Sequence, residues 1–126
     1  MILLTLVACN LLAGPPIPQV AVDQIATELA GIGHPNSTFL SGEITDWRAV
    51  PKEEKSADRW IDVDIRYQRP KEATPDTMKV RLFLISAVPC KVKSDVIADT
   101  GPTPVLLDNG LVSKAVGRAI CDAMGG

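Results

Sequence analysis

The stretch from Trp60 to Gln68 constrains the fold most tightly, because Ile61, Val63, Ile65 and Tyr67 alternate without a break against Asp62, Asp64, Arg66 and Gln68. A period of two sustained along the whole segment marks a strand with one face in a core and the other in water. The period returns in Met78, Val80, Leu82 and Leu84, with Lys79 and Arg81 on the other side. From Leu82 onward Phe83, Ile85 and Ala87 make the second face apolar too, so the run Met78 to Cys90 is expected to be a central strand entering a region covered on both sides. Strands of this kind need a second layer over their apolar face.

The sequence offers two helices for that layer. Val22, Ile25, Leu29 and Ile32 recur at helical spacing with Ala26 beside them, which predicts a helix over Pro18 to Ala30, with Pro18 in its first turn and Gly31 or Gly33 as its C-terminal cap. Val112, Ala115, Val116, Ala119, Ile120, Ala123 and Met124 form a second stripe, expected to be N-capped by Asp108 or Asn109 and closed by Gly125 and Gly126. Phe39 to Val50 alternates loosely, with Leu40, Gly42 and Ile44 on one side, and Lys91 to Asp99 is a candidate for a short fourth strand. The charged stretch 51–58 and the Pro-containing stretch 69–77 are longer than tight hairpin turns. The expected fold is therefore α+β: an N-terminal helix, an antiparallel meander of three or four strands and a C-terminal helix packed on the sheet, in a single domain over residues 19–126. The order of elements resembles small cystatin-like modules, a likeness of architecture that carries no activity with it.

The N-terminal segment has a different character. Ile2 to Ala8 is apolar and ends in Leu6-Val7-Ala8-Cys9, which resembles the lipobox of bacterial lipoprotein precursors, although no Lys or Arg precedes the apolar stretch as it does in that class. The resemblance implies that residues 1–8 are a signal peptide, that Cys9 becomes a lipidated N-terminus, and that residues 9–18, ending in the stiff Gly14-Pro15-Pro16-Ile17-Pro18, are a tether. Asn10, where an inner-membrane signal would be Asp, implies an outer-membrane lipoprotein facing the periplasm. The partners expected are then the membrane, through the anchor, and another protein. The competing reading is a cytosolic, virion or secretion-machine structural subunit whose apolar N-terminus packs against neighbours, with Cys9 a small core residue.

Chemical constellations are sparse. A formal net charge of -2 leaves no electrostatic footprint for nucleic acid. Asp62 and Asp64 point the same way, as two carboxylates must to share a metal or divide acid and base roles, and a small hydrolase built on them is one reading. The other is that they pair across the ladder with Lys79 and Arg81, whose spacing is the same. His34, the only histidine, precedes Pro35 and reads as a solvated loop residue, and the sequon Asn36-Ser37-Thr38 is of a kind frequent by chance. The expectation is a binding or assembly protein with no catalytic residues, no metal and no small-molecule cofactor. Trp47 and Trp60 flank the 51–58 stretch and either form a partner surface or close the end of the core. Once Cys9 is lipidated, Cys90 and Cys121 remain as an even pair in an oxidising compartment, where a disulfide is expected. The helical stripe places Cys121 roughly opposite its centre, so the segment after Pro89 would have to climb around the helix to reach it.

Overall fold

The computed structural model describes residues 15–48, 59–87, 90–105 and 114–124. Within these the chain runs α1 (Gln19–Gly33), β1 (Thr38–Arg48), β2 (Trp60–Gln68), β3 (Asp76–Ala87), β4 (Cys90–Asp99) and α2 (Lys114–Ala123). The strands form one open antiparallel sheet in the order β1-β2-β3-β4, and the fold is the expected α+β meander with four strands.

Strand parity decides where the core lies. Ile61, Val63, Ile65 and Tyr67 on β2 sit opposite Leu82, Val80, Met78 and Asp76 on β3, and the apolar members of this set are fully buried. Helix α1 covers the β1–β2 half of that face, α2 lies against β4, and the two helices touch each other. Val22, Ile25, Ala26 and Leu29 supply the buried side of α1, and Val92 extends the core to the edge strand. Fully burying an aliphatic side chain of this size contributes about 1.5–3 kcal/mol, so this shared face is the main source of stability. At Gly42 the helix approaches β1 so closely that a Cβ would collide with that of Ala26, and only glycine fits.

Several boundaries differ from the sequence reading. Helix α1 runs three residues further than the expected Ala30 and ends at Gly33, with Pro18 as its N-cap. It stops on His34, whose N–H still reaches the Ala30 carbonyl (2.8 Å), because a residue before proline is excluded from helical geometry. No left-handed glycine cap is needed. In β1, register shifts between Phe39 and Ser41 and between Ile44 and Asp46 break the expected alternation. Leu40 is consequently half exposed instead of sharing the buried side with Ile44. The apolar run Met78 to Cys90 is two elements: β3 ends at Ala87, and Cys90 opens β4. Pro89, which has no N–H to give a ladder, lies between them outside the described residues.

The largest correction concerns α2. Among the side chains described there, Ile120, Cys121 and Met124 are buried, while Ala119 is exposed. At about 100° per residue, this face is rotated by roughly a quarter turn from the predicted stripe. Cys121, expected to point outward, is 6 % exposed. Alanines on the predicted stripe gain little from burial, so the helix turns toward the side that buries the larger isoleucine and methionine together with the cysteine. The expected caps at Asp108, Asn109, Gly125 and Gly126, and residues 49–50 of the first expected strand, lie outside the described residues.

Candidate functional site

The polar groups that the fold gathers most tightly lie at one end of the core face, where α1 ends. His34 is fixed by the turn that Pro35 imposes: its carbonyl accepts from the Ser37 N–H (3.0 Å) and the Ser37 hydroxyl (2.7 Å), and next to it the Val105 N–H donates to the Gly33 carbonyl (2.8 Å). Facing it are the last apolar-face residue of β2, Tyr67, the first of β3, Asp76, and the last of β4, Asp99. Asp99 is paired with Met78 across the ladder and so points into the same layer.

Asp99 is the hub. One of its oxygens accepts from His34 Nε2 (2.6 Å), and the other accepts from the Tyr67 hydroxyl (2.5 Å) and the Gly101 N–H (2.8 Å). The His34 and Tyr67 rings stack with centroids 4.1 Å apart and planes at 17°. Burial, followed by the hydrogen bond to Asp99 and its negative charge, pushes the Tyr67 hydroxyl well above the ordinary phenol range. Beside this trio Asp76 accepts from Arg69 Nε (2.7 Å) and the Thr100 hydroxyl (3.0 Å). The Arg69 hydrogen bond holds the Asp76 carboxyl below its usual value and raises the guanidinium in return. Arg69 also reaches Glu72 (3.3 Å). Gly101 is obligatory here, since a Cβ would run into the Tyr67 hydroxyl.

A cleft of about 370 Å³ opens beside the cluster, walled by His34, Arg69, Thr103 and the prolines Pro35, Pro70 and Pro102. It holds an imidazole oriented by a carboxylate, a guanidinium already paired, and neutral hydroxyl and amide groups. That set can bind through hydrogen bonds. No group of three or more His, Cys, Asp or Glu side chains able to hold a metal occurs among the described residues.

The residues singled out from sequence are elsewhere. Asp62 and Asp64 lie on the opposite face of the sheet, where Asp62 takes a bidentate bond from Arg81 (2.7 and 2.9 Å) and Asp64 pairs with Lys79 (3.0 Å). Both pairs are directly opposite in register. In register the row runs Asp46, Asp62, Arg81, Asp95 across the four strands, and Arg81 bonds Asp62. Arg81 also sits 4.3 Å over the Trp60 ring. Trp47 is opposite Ile61 and therefore on the core face, whereas Trp60 belongs to the other face with Asp62. The fold does not bring the two rings into one patch; each packs partly buried against the core. Cys90 begins β4, Cys121 is buried on α2, and Cys9 lies outside the described residues.

His34, Tyr67, Asp76 and Asp99 were not assembled from sequence because no spacing relates them. A partial signal was present: Asp76 shares the parity of Met78, Val80 and Leu82, and Tyr67 that of Ile61, Val63 and Ile65, so extending both patterns places an aspartate and the only tyrosine on the core face at one end. Compared with known proteins, the chain matches no family model, no curated sequence and no solved structure.

Proposed function

We propose that this chain is a lipid-anchored binding or assembly protein of the bacterial cell envelope, an outer-membrane lipoprotein facing the periplasm. Its folded domain presents a partner-binding surface and performs no catalytic step. The observation that carries the reading is the Leu6-Val7-Ala8-Cys9 sequence, followed by a Pro-rich tether that meets the core at Ile17, which is 3 % exposed. No helix among the described residues is long and apolar enough to cross a membrane, so attachment in this reading rests on Cys9. The ion pairs of Asp62 and Asp64 favour a structural role for them over a hydrolytic one, because each carboxylate is committed to a cation. Trp60, with Arg81 over it, is a candidate contact on the open face.

The Cys90–Cys121 disulfide belongs to the same reading. It is supported by the packing of α2 on β4, which begins at Cys90, and by the inward position of Cys121. A cross-link over that separation stabilises a chain by about 3–4 kcal/mol in the loop-entropy account.

Intact mass of protein recovered from membranes tests the anchor: cleavage before Cys9 plus acyl mass is the expected result. Cys9→Ser should release the chain from the membrane fraction with its fold intact, and unchanged fractionation of that variant would sink the proposal. In the same material a thiol assay is expected to find Cys90 and Cys121 unreactive until a reductant is added.

A further inference from the structure

Charge on the open face of the sheet is arranged in two strips of opposite sign. The row at one end crosses all four strands as Arg48, Trp60, Phe83 and Lys93, and the next row as Asp46, Asp62, Arg81 and Asp95. Two residues along a strand separate them, a distance of about 7 Å. In the middle of the face the charges are already matched, since Arg81 holds both oxygens of Asp62 and lies over the Trp60 ring. At the two flanks they are not. Arg48, Lys93 and Asp46 are exposed and Asp95 is half-buried, and none of the four forms an ion pair with a described residue. Each flank therefore shows a cation and, one row further in, an anion, with the half-buried rings of Trp60 and Phe83 between the two cations.

The order of signs decides what fits. A polyanion, whether nucleic acid, acidic glycan or anionic lipid surface, carries one sign and would meet Asp46 and Asp95 within about 7 Å of the cations that attract it. An occupant that satisfies both strips carries both signs at the same spacing, and this chain does so itself. A half-turn about an axis that crosses the strands midway between the two rows lays each row on the other row of a second copy, every strand over its own counterpart. Arg48 then faces Asp46 of the second copy and Lys93 faces Asp95, and symmetry makes each pairing occur twice. Phe83 faces the Arg81 guanidinium, a group that suits an aromatic ring. The other half-turn, about an axis along the strands, lays β1 on β4 and sets Arg48 against Lys93 and Asp46 against Asp95. Like charges exclude that arrangement, so the pattern selects one mode of pairing and rejects its alternative. Stacking of two sheets with their strands within about 30° is an ordinary packing mode.

We propose that the open face is a homodimer interface, in which two copies of this chain lay basic row on acidic row about a two-fold axis crossing the strands. The interface goes beyond the reading of the domain as a binding module and does not depend on the anchor at Cys9. Two rows make a contact smaller than the roughly 800 Å² per partner of a standard complex, so the association is weak in solution and sensitive to salt.

Sedimentation equilibrium of the full-length chain carrying Cys9→Ser tests it, from about 10 μM to 1 mM protein at about 0.05 M salt. The expected result is a monomer–dimer equilibrium whose dimer fraction falls as salt is raised to about 0.5 M. Lys93→Glu and Asp95→Lys should each weaken dimerisation roughly tenfold or more, because each sets like charges face to face. The double variant, and an equimolar mixture of the two single variants, should associate again, since positions 93 and 95 meet only across the two-fold axis. Arg48→Asp and Asp46→Arg form a second set on the opposite flank, with far-UV circular dichroism showing that each variant is folded. A monomer at the highest concentration, association unchanged by the reversals, or loss without recovery in both the double variant and the mixture would each overturn the proposal. Membrane release of Cys9→Ser is scored separately, so failure of the anchor and failure of the dimer are distinct results.

Discussion

The two faces of the sheet each carry a set of paired charges, and the sets differ in how they are made. On the open face, Asp62–Arg81 and Asp64–Lys79 are neighbours by register, formed wherever two alternating strands lie side by side. Their cations remain about one third exposed, although the Asp62 carboxylate is itself only 5 % exposed, so water and salt reach these contacts from the cation side. At the end of the core face, His34, Tyr67 and Asp99 come from three separate elements and converge in a place where water is scarce. The ladder follows from the pairing of strands, whereas the cluster exists only once helix, sheet and the segment after β4 have docked. The cations of the ladder can be re-solvated when a partner is lost; the groups of the cluster cannot.

That contrast is most easily broken at Asp99. Asp99→Ala removes the acceptor for three buried donors and is expected to lower unfolding free energy by about 3–5 kcal/mol, the range for breaking a buried pair from one side. Denaturant unfolding followed by far-UV circular dichroism measures it, and a loss no larger than that of a ladder variant would erase the distinction between the faces.

Tyr67→Phe sharpens the comparison within the cluster. Loss of a hydroxyl bond to a carboxylate costs about 1.5–3 kcal/mol. Its pH dependence is also specific. The folded-state value of the hydroxyl lies above the ordinary 10.0, so its contribution is complete below pH 10 and is lost as pH rises through the higher folded value. The wild-type chain should therefore lose stability on the alkaline side of pH 10, and Tyr67→Phe should flatten that limb. An alkaline limb of equal slope in both proteins would assign it to other groups.

The smallest effect belongs to the ladder. Replacing Asp62 and Asp64 together by Asn keeps the side-chain shape while removing the charges and one accepting oxygen from each. The destabilisation should be below that of Tyr67→Phe, and the gap from wild type should narrow as salt is raised from about 0.1 to 1 M, where the screening length drops to about 3 Å. A salt-independent gap would place these pairs in the same class as the cluster.

The same contrast separates what was legible in the sequence from what was not. Strand β2, its partners on β3 and both of these ion pairs follow from parity alone, because side-chain alternation and antiparallel pairing are local properties. The two shifts of register in β1 leave no mark in composition, so the exposure of Leu40 did not show. The end of α1 was misplaced because glycine reads as a cap, while the constraint that operates is Pro35 acting on His34. The orientation of α2 turned on whether alanines or a cysteine faced the sheet, a decision made by the shape of the partner surface. The cluster itself joins positions 34, 67, 76 and 99, and only the assembled fold relates them.

One contact at the other end of α1 has a mechanical consequence. The Gln19 carboxamide donates to the Gly42 carbonyl on β1 and to Asp23 one turn on (both 2.8 Å), just after the chain enters the core at Ile17 and just before the helix passes over Gly42. A pull applied from the N-terminal side is delivered to this clasp before it reaches the rest of the helix. Load would pass from there into the edge strand, leaving the cluster at the far end of the helix as the last part of α1 to feel the strain.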